Sequence, residues 1–191
     1  MALNWPGLMA WSTQYHDGTA PSNFKMLSAE DRAFLEKAMV EAFGEVEDTN
    51  GIMKEAAAKI TADDRTDESI TVALEVIDYC CDNPDCARNA EKLGVLQPML
   101  DVIGTHPGAI RTRALEVLAL LFSNNKNIQE AGIKRGALQA LVNLTKDSPQ
   151  GSDERSKAFR AVCALVRNVQ ELETALLEHV DGLALLVLCL D

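Results

Sequence analysis

The sequence is poor in aromatic residues and in positive charge, and both shortages narrow its possible functions. Aromatic residues make up 5% of the chain, whereas Leu, Ala and Val dominate an apolar fraction of 47%. This balance favours closely stacked helices, because strands are enriched in aromatic and β-branched side chains. Lys and Arg number 18 against 29 Asp and Glu, which gives a formal charge of −11. Nucleic acids and anionic membranes attract basic surfaces, so we expect neither as a partner.

Long apolar runs, a secretory leader and paired cysteines are also missing from the sequence. No stretch approaches the roughly 20 apolar residues that span a bilayer, and no basic segment precedes an apolar run near the N-terminus. We therefore expect a cytoplasmic protein. Its cysteines show no paired spacing, which predicts thiols rather than disulfides. They are Cys80, Cys81, Cys86, Cys163 and Cys189.

The sequence lacks the usual motifs for catalysis, metal binding and nucleotide binding. Its three histidines stand in unrelated segments and form no constellation with a nucleophile. Cys80 and Cys81 are adjacent and would point in different directions on a helix, which argues against a zinc site with Cys86. The eleven glycines are scattered singly, so there is no phosphate-binding loop. We expect a protein that is not an enzyme and has no cofactor or metal.

What the sequence does contain is a repeat of about 40 to 47 residues. The three copies lie at 71–103, 112–145 and 156–190, and each opens with Ala followed by Leu or Phe. An asparagine suited to a helix end follows nine residues after each Leu or Phe, at Asn83, Asn124 and Asn168. A glycine precedes the next apolar segment in each copy, at Gly94, Gly136 and Gly182. The pattern predicts an all-α, armadillo-like solenoid of about three repeats, each with a long, a short and another helix.

The segment before the repeats begins with a stretch that differs in composition from the rest of the chain. Residues 1–27 are rich in Pro, Gly and small polar residues, which predicts a flexible N-terminal arm. Its apolar cluster includes Leu8 and Trp11. Two uses of this cluster are equally open: it docks on the body of the protein, or it is offered to the groove of a partner.

A helical lead-in is predicted between the arm and the repeats, over residues 28–66. One helix starts at Ser28 and runs to Gly44, and a second begins near Thr49. Together they would cap the first repeat and cover its open face. The predicted repeat units are 67–109, 110–152 and 153–191.

The last apolar segment differs from its counterparts in the other repeats. Residues 183–190 read LALLVLCL and are apolar on every side, whereas the matching helices carry Gln97 and Asp101, or Gln139 and Asn143. A helix that is apolar all round requires cover on both sides. We expect that a further C-terminal repeat is missing, or that this helix serves self-association.

Several segments resemble the armadillo-type nucleotide-exchange factors of Hsp70 (DnaK-class) heat-shock chaperones, the Fes-one and Hsp-binding-protein family. Residues 27–60, LSAEDRAFLEKAMVEAFGEVEDTNGIMKEAAAKI, resemble the region before the repeats in that family. Residues 82–89, DNPDCARN, resemble its Asn-rich loop in the first repeat. The similarity continues through 127–130, 136–138 and 155–159, and residues 8–12, LMAWS, are similar to a short element that opens several members.

The resemblance implies a function that depends on binding alone. The concave face of the repeats would embrace one lobe of the chaperone's ATPase domain and displace the other lobe, so that ADP leaves. A protein that binds the opened ATPase domain better than the closed one must lower the affinity of that domain for ADP, and the coupling energy is the same in both directions. Family members continue into a further repeat whose opening basic residue helps to grip the chaperone, beyond the three units predicted here.

The resemblance also implies contact residues on the inner helices and the loops between helices. All are polar except for one alanine, and they are Asn83, Ala87, Asn89, Gln97, Asp101, Asn124, Gln139, Asn143, Arg167 and Asn168. Ala87 would permit close approach of the partner, whereas a long charged residue there would hold the surfaces apart; an ordinary buried loop alanine is the alternative interpretation.

A generic armadillo adaptor that binds an extended peptide is the alternative function. Such adaptors use asparagine ladders and tryptophans on the groove helices. Both tryptophans of this sequence, Trp5 and Trp11, lie in the predicted arm, so the predicted groove contains none.

Overall fold

The computed structural model describes residues 28–43, 47–179, 184, 185 and 187. These described residues contain helices and no strand, which confirms the all-α prediction. The helices are α1 (Ala29–Phe43), α2 (Thr49–Thr61), α3 (Asp67–Cys81), α4 (Pro84–Asn89), α5 (Leu96–Thr105), α6 (Ala109–Phe122), α7 (Lys126–Lys134), α8 (Ala137–Asp147), α9 (Asp153–Val166) and α10 (Gln170–His179). The predicted arm, with Leu8 and Trp11, lies outside the described residues.

The chain divides into two compact units, Met1–Glu47 and Asp48–Asp191. In the first unit the structure describes α1, whose start is fixed by Ser28 as predicted: the Asp31 amide donates to the Ser28 hydroxyl at 3.1 Å. The side chains of Phe34 and Leu35 on this helix are exposed. The second predicted lead-in helix, α2, belongs to the second unit, where it packs against α3.

The second unit is built from helical hairpins stacked side by side. The pairs α2–α3, α5–α6 and α8–α9 pack together, and the short helices α4 and α7 connect one pair to the next. The long helices α3, α6 and α9 contact one another in order and form one layer. Helices α2, α5 and α8 form the other layer. The predicted order of long, short and further helix thus occurs at α3–α5 and at α6–α8, and α9 and α10 repeat its first two members.

Helix ends in the second unit follow the predicted glycine and asparagine signals. Gly94 has a φ of 75°, and the amides of Gly94 and Val95 donate to the carbonyls of Glu91 and Ala90, which closes the preceding turn. Asn124 and Asn168 have φ values of 56° and 62°, in the left-handed region that asparagine tolerates better than other side chains. Gly182 lies outside the described residues.

Asn83 ends α3 in a different way from its counterparts in the other copies. Its φ of −88° and ψ of 111° are extended, because the residue before a proline is pushed away from helical conformations and Pro84 follows. The Asn83 side chain accepts hydrogen bonds from the amides of Asp85 and Cys86 at 3.0 and 3.4 Å. Asn83 is therefore the N-cap of α4, a role that the repeat pattern did not predict.

The core lies between the two layers, with α6 at its centre. The small residues Ala73, Ala114 and Ala158 that open the three copies are all buried, which allows the long helices to approach one another. Leu115 and Phe122 of α6 are fully buried, because this helix is covered by α3, α9 and α5. Stacking of neighbouring repeats thus buries the apolar side chains that a single repeat would expose.

Within the described ranges, every helix is too short or too polar to cross a membrane. Four of the cysteines are described, and none of them is in a disulfide. Cys80 and Cys86 are buried, Cys81 is half-buried and Cys163 is exposed.

Candidate partner-binding surface

The three long helices share one accessible face, which we call the long-helix face. Because each helix is in the same register relative to its opening Ala, positions one residue before that Ala and two, five and six residues after it recur along the face. Its accessible side chains are Val72, Glu75, Asp78 and Tyr79 of α3, Arg113, Glu116 and Leu120 of α6, and Lys157, Arg160 and Cys163 of α9.

A chain of ion pairs crosses the long-helix face from α3 to α9. Arg113 on α6 contacts Asp78 on α3 at 2.6 Å and Glu116 at 3.0 Å. Glu116 in turn contacts Lys157 on α9 at 2.6 Å. All four side chains are partly accessible, between 24% and 34%. The helices are therefore joined on this face by charges that remain within reach of a partner.

The ion pairs shift the pKa values of Glu116, Lys157 and Arg113 so that the charged forms are favoured. The hydrogen bond from Lys157 is the largest cause that lowers the pKa of Glu116 below its ordinary value. The same bond raises the pKa of Lys157. For Arg113, the hydrogen bond to Glu116 is the largest cause of a raised pKa. The face thus presents fixed charges at neutral pH, as electrostatic recognition of a protein partner requires.

Large apolar side chains are exposed beside these charges. Tyr79 and Leu120 occupy the same position in successive repeats and are 56% and 40% exposed, and Val72 is 49% exposed. Accessible apolar and aromatic side chains next to ordered charges are typical of protein–protein interfaces. The sequence analysis did not select any of these three residues or any of the four ion-paired ones.

The predicted residues Asn83, Ala87 and Asn89 lie together around α4. The Asn83 side-chain amide donates to the Thr49 hydroxyl, and that of Asn89 donates to the Asn50 side chain, both at 3.4 Å. These contacts hold α4 against the start of α2. Ala87 is half-buried, so its methyl group reaches the surface without projecting from it.

Two buried amide side chains at the start of α7 link this region to the end of α9. Asn125, which is 7% exposed, donates to the Ala87 carbonyl at 2.8 Å. Gln129, which is 2% exposed, donates to the carbonyls of Ala164 and Arg167, both at 2.9 Å. The ends of the three long helices and α4 therefore form one connected edge, which we call the connection edge. It contains six predicted residues: Asn83, Ala87, Asn89, Asn124, Arg167 and Asn168.

The other four predicted residues lie in the other layer. On α5, Gln97 donates to Asp101 at 2.8 Å, and on α8, Gln139 donates to Asn143 at 2.7 Å. All four are exposed. The structure does not bring the ten predicted residues onto one face, because α5 and α8 lie in the other layer, where the side chains of these four residues are exposed. The spacing of polar residues along α5 and α8 indicates that these side chains are exposed, but it does not show in which of the two layers the helices lie.

The described residues hold no group of three or more His, Cys, Asp or Glu side chains that could bind a metal ion. One cleft, of about 440 Å³, lies against α7, where Arg135 forms an ion pair with Glu91 at 2.7 Å. A smaller cleft of about 260 Å³ lies along α9 and contains Arg160 and Arg167. The long-helix face and the connection edge together offer charged groups, side-chain amides and exposed apolar side chains for binding a partner.

Comparison with known proteins gives a consistent set of relatives. No family model matches the chain. Proteins named Hsp70 nucleotide exchange factor FES1 are similar to it: the one from Saccharomyces cerevisiae is 31% identical over 63% of this chain and 42% of its own length. Those from Yarrowia lipolytica and Eremothecium gossypii are 28% and 24% identical over 92% and 75% of this chain, and over 59% and 50% of their own lengths.

The chain spans about half the length of the curated relatives it matches. Their agreement in name confirms the resemblance that the sequence segments predicted. The chain is related to the FES1 group of Hsp70 nucleotide exchange factors.

Proposed function

We propose that this chain is a cytoplasmic co-chaperone that binds the ATPase domain of an Hsp70 chaperone and promotes the release of ADP. The single observation that carries the proposal is the similarity to proteins named Hsp70 nucleotide exchange factors. The accessible long-helix face and the connection edge support it, because they offer a continuous surface of fixed charges, amides and apolar side chains.

The proposed mechanism is differential binding without chemistry on this chain. Exchange follows if the connection edge and the long-helix face fit an opened ATPase domain better than a closed one that holds ADP. By thermodynamic linkage the two effects are equal: the chain weakens the binding of ADP to the ATPase domain by the same factor by which ADP weakens the binding of the chain. The chain needs to supply no acid, base or nucleophile, and we propose that it is not an enzyme.

Ala87 provides a sharp test of the proposed contact. In a complex of an Hsp70 chaperone with fluorescently labelled ADP, we expect the wild-type chain to accelerate the release of the label to a saturating rate. Ala87→Arg places a long charged side chain at the connection edge and is expected to weaken this effect strongly, because the surfaces would be held apart. Circular dichroism spectra should be unchanged, since Ala87 is already partly accessible.

Ala58→Arg is the matched control for this experiment. Ala58 is exposed on α2, in the other layer, so the same substitution adds the same charge far from the connection edge. Release at the unstimulated rate with saturating wild-type chain would refute the proposed function. Equal activity of the two variants would remove Ala87 from the interface. Tight binding of an extended peptide without any effect on ADP would favour the adaptor alternative.

A further inference from the structure

The cleft along α9 combines positive charge with small neutral side chains. It is lined by Ser123 at the end of α6, by Arg160, Cys163 and Ala164 of α9, and by Arg167, which caps the end of α9; its volume is about 260 Å³. The α9 members recur at intervals of three and four residues, so they share one side of the helix. We call this site the α9 cleft. Its two arginines stand two helical turns apart, about 10 Å along the helix axis, with small residues between them.

The two arginines of the α9 cleft have no side-chain partner within the described part of the chain. Among the residues that the structure describes, neither guanidinium group forms an ion pair or hydrogen bond, and both residues are exposed. The contrast with the rest of the second unit is clear, because other arginines there pair with Asp or Glu: Arg88, Arg111, Arg113 and Arg135. In a chain with a formal charge of −11, two such arginines in one cleft form a local reversal of charge.

The repeat register shows that this reversal is specific to the last long helix. Arg160 stands two residues after the opening Ala of its copy, where α3 carries Glu75. Arg167 stands nine residues after it, where α3 carries Asp82. Glu75 and Asp82 are both exposed, so equivalent positions are negative at one end of the long-helix face and positive at the other. A partner that binds across the face can therefore be complementary to this charge pattern in one orientation only.

We infer that the α9 cleft receives an acidic segment of the protein partner, whose carboxylates are bound by Arg160 and Arg167. This inference rests on the proposed function, which supplies a folded protein domain as the partner. The arginine fork matches carboxylate groups and donates two parallel hydrogen bonds to each. Arginines two turns apart offer a row of donors, which fits a row of carboxylates better than one compact phosphate.

The backbone around the cleft is held in place before a partner arrives. The Arg167 carbonyl accepts a hydrogen bond from the buried Gln129 side chain at 2.9 Å, and the Ser123 hydroxyl donates to the Ala119 carbonyl. The two walls of the cleft are therefore fixed, and only the arginine side chains need to be ordered on binding. Less ordering of the site means a smaller entropic cost of association.

The test uses the full chain and the isolated ATPase domain of an Hsp70 chaperone, with affinity measured by titration calorimetry. The double variant Arg160→Glu/Arg167→Glu is expected to weaken binding by about tenfold or more, and Arg160→Gln/Arg167→Gln by less, because it removes attraction without adding repulsion. The loss should shrink as salt is raised, since screening weakens contacts between exposed charges.

The matched control is Lys54→Glu/Lys146→Glu, which changes the formal charge equally. Lys54 lies within a helix, as Arg160 does, and Lys146 lies near the end of a helix, as Arg167 does; both lysines are exposed, in the other layer. Equal losses in the two double variants would overturn the inference and leave the proposed function intact, because general charge would explain them. Failure of the wild-type chain to bind the ATPase domain would instead overturn the proposed function and this inference with it.

Discussion

Replacing Gln129 with methionine removes the hydrogen bonds between α7 and α9 while nearly preserving the length of the side chain. Gln129 is 2% exposed, and its amide donates to two carbonyls in the last turn of α9, each at 2.9 Å. Methionine fills the same space with flexible apolar atoms. The substitution therefore isolates the contribution of the hydrogen bonds from that of packing.

The expected loss of stability follows from the number of bonds. A hydrogen bond of this kind contributes about 0.5–1.5 kcal/mol net, so the loss of two predicts about 2 kcal/mol in the free energy of unfolding. At about 3 °C per kcal/mol for a domain of this size, the melting temperature should fall by about 6 °C. Since a typical domain is stable by about 5–15 kcal/mol, the variant should still fold.

Urea denaturation followed by circular dichroism measures this difference, and Gln139→Met provides the matched control. Gln139 is exposed and donates to Asn143, so its replacement is expected to change the free energy of unfolding by less than about 0.5 kcal/mol. If Gln129→Met were as stable as Gln139→Met, the buried amide would not stabilise the contact of α7 with α9, and the account of the connection edge would be wrong.

Three further predictions concern the backbone, the ion pairs and the thiols. Asn124 has a φ of 56°, so Asn124→Gly should preserve stability while Asn124→Ala lowers the free energy of unfolding by about 1 kcal/mol in the same urea assay. Lys157 lowers the pKa of Glu116, so the stabilisation by this carboxylate is present above the ordinary pKa of 4.5 and is lost as the pH falls through the folded value. Glu116→Gln should therefore lower the free energy of unfolding by about 1 kcal/mol at neutral pH and by almost nothing in acid. An equal loss at both pH values would contradict the ion-pair assignment. Burial, followed by the negative charge of a nearby aspartate, raises the pKa of Cys81 to about 12. A maleimide probe should therefore modify exposed Cys163 well before Cys81 in the native protein, as peptide mass mapping can check.

Local signals explain why most helix boundaries could be predicted from the sequence. Ser28 starts α1 and Gly94 closes the turn after α4, because a hydroxyl cap and a left-handed glycine act within a few residues of the chain. Asn124 and Asn168 end α6 and α9 for the same reason. The alternation of long and short helices followed from these signals together with the apolar spacing.

Interactions between distant segments explain what the sequence analysis missed. The contacts of Arg113 with Asp78, of Asn125 with Ala87 and of Gln129 with Arg167 join residues 35 to 38 positions apart. Which side chains meet across such distances depends on how neighbouring repeats are stacked, and the repeat period alone does not fix that. Arg113 carries a charged side chain within a largely apolar helix, a signal that does point to a specific partner.

The position of the polar helix residues was also beyond the reach of the sequence pattern. Gln97 and Gln139 were grouped with Asn124 because all three are polar residues at helical or loop positions of the repeat. The structure places the two glutamines in the layer of α5 and α8, and Asn124 on the connection edge. Helical periodicity shows which side of a helix is exposed, and only the packing of the helices shows where that side lies.

The reciprocal effect of nucleotide on binding tests the central claim most directly. Titration calorimetry of the wild-type chain with the ATPase domain of an Hsp70 chaperone should be performed without nucleotide and with saturating ADP. Differential binding predicts that ADP weakens the affinity for the chain, by the same factor by which the chain weakens the affinity for ADP. Equal affinities in the two conditions would show that the chain binds without favouring the opened domain, and would contradict the proposed exchange mechanism.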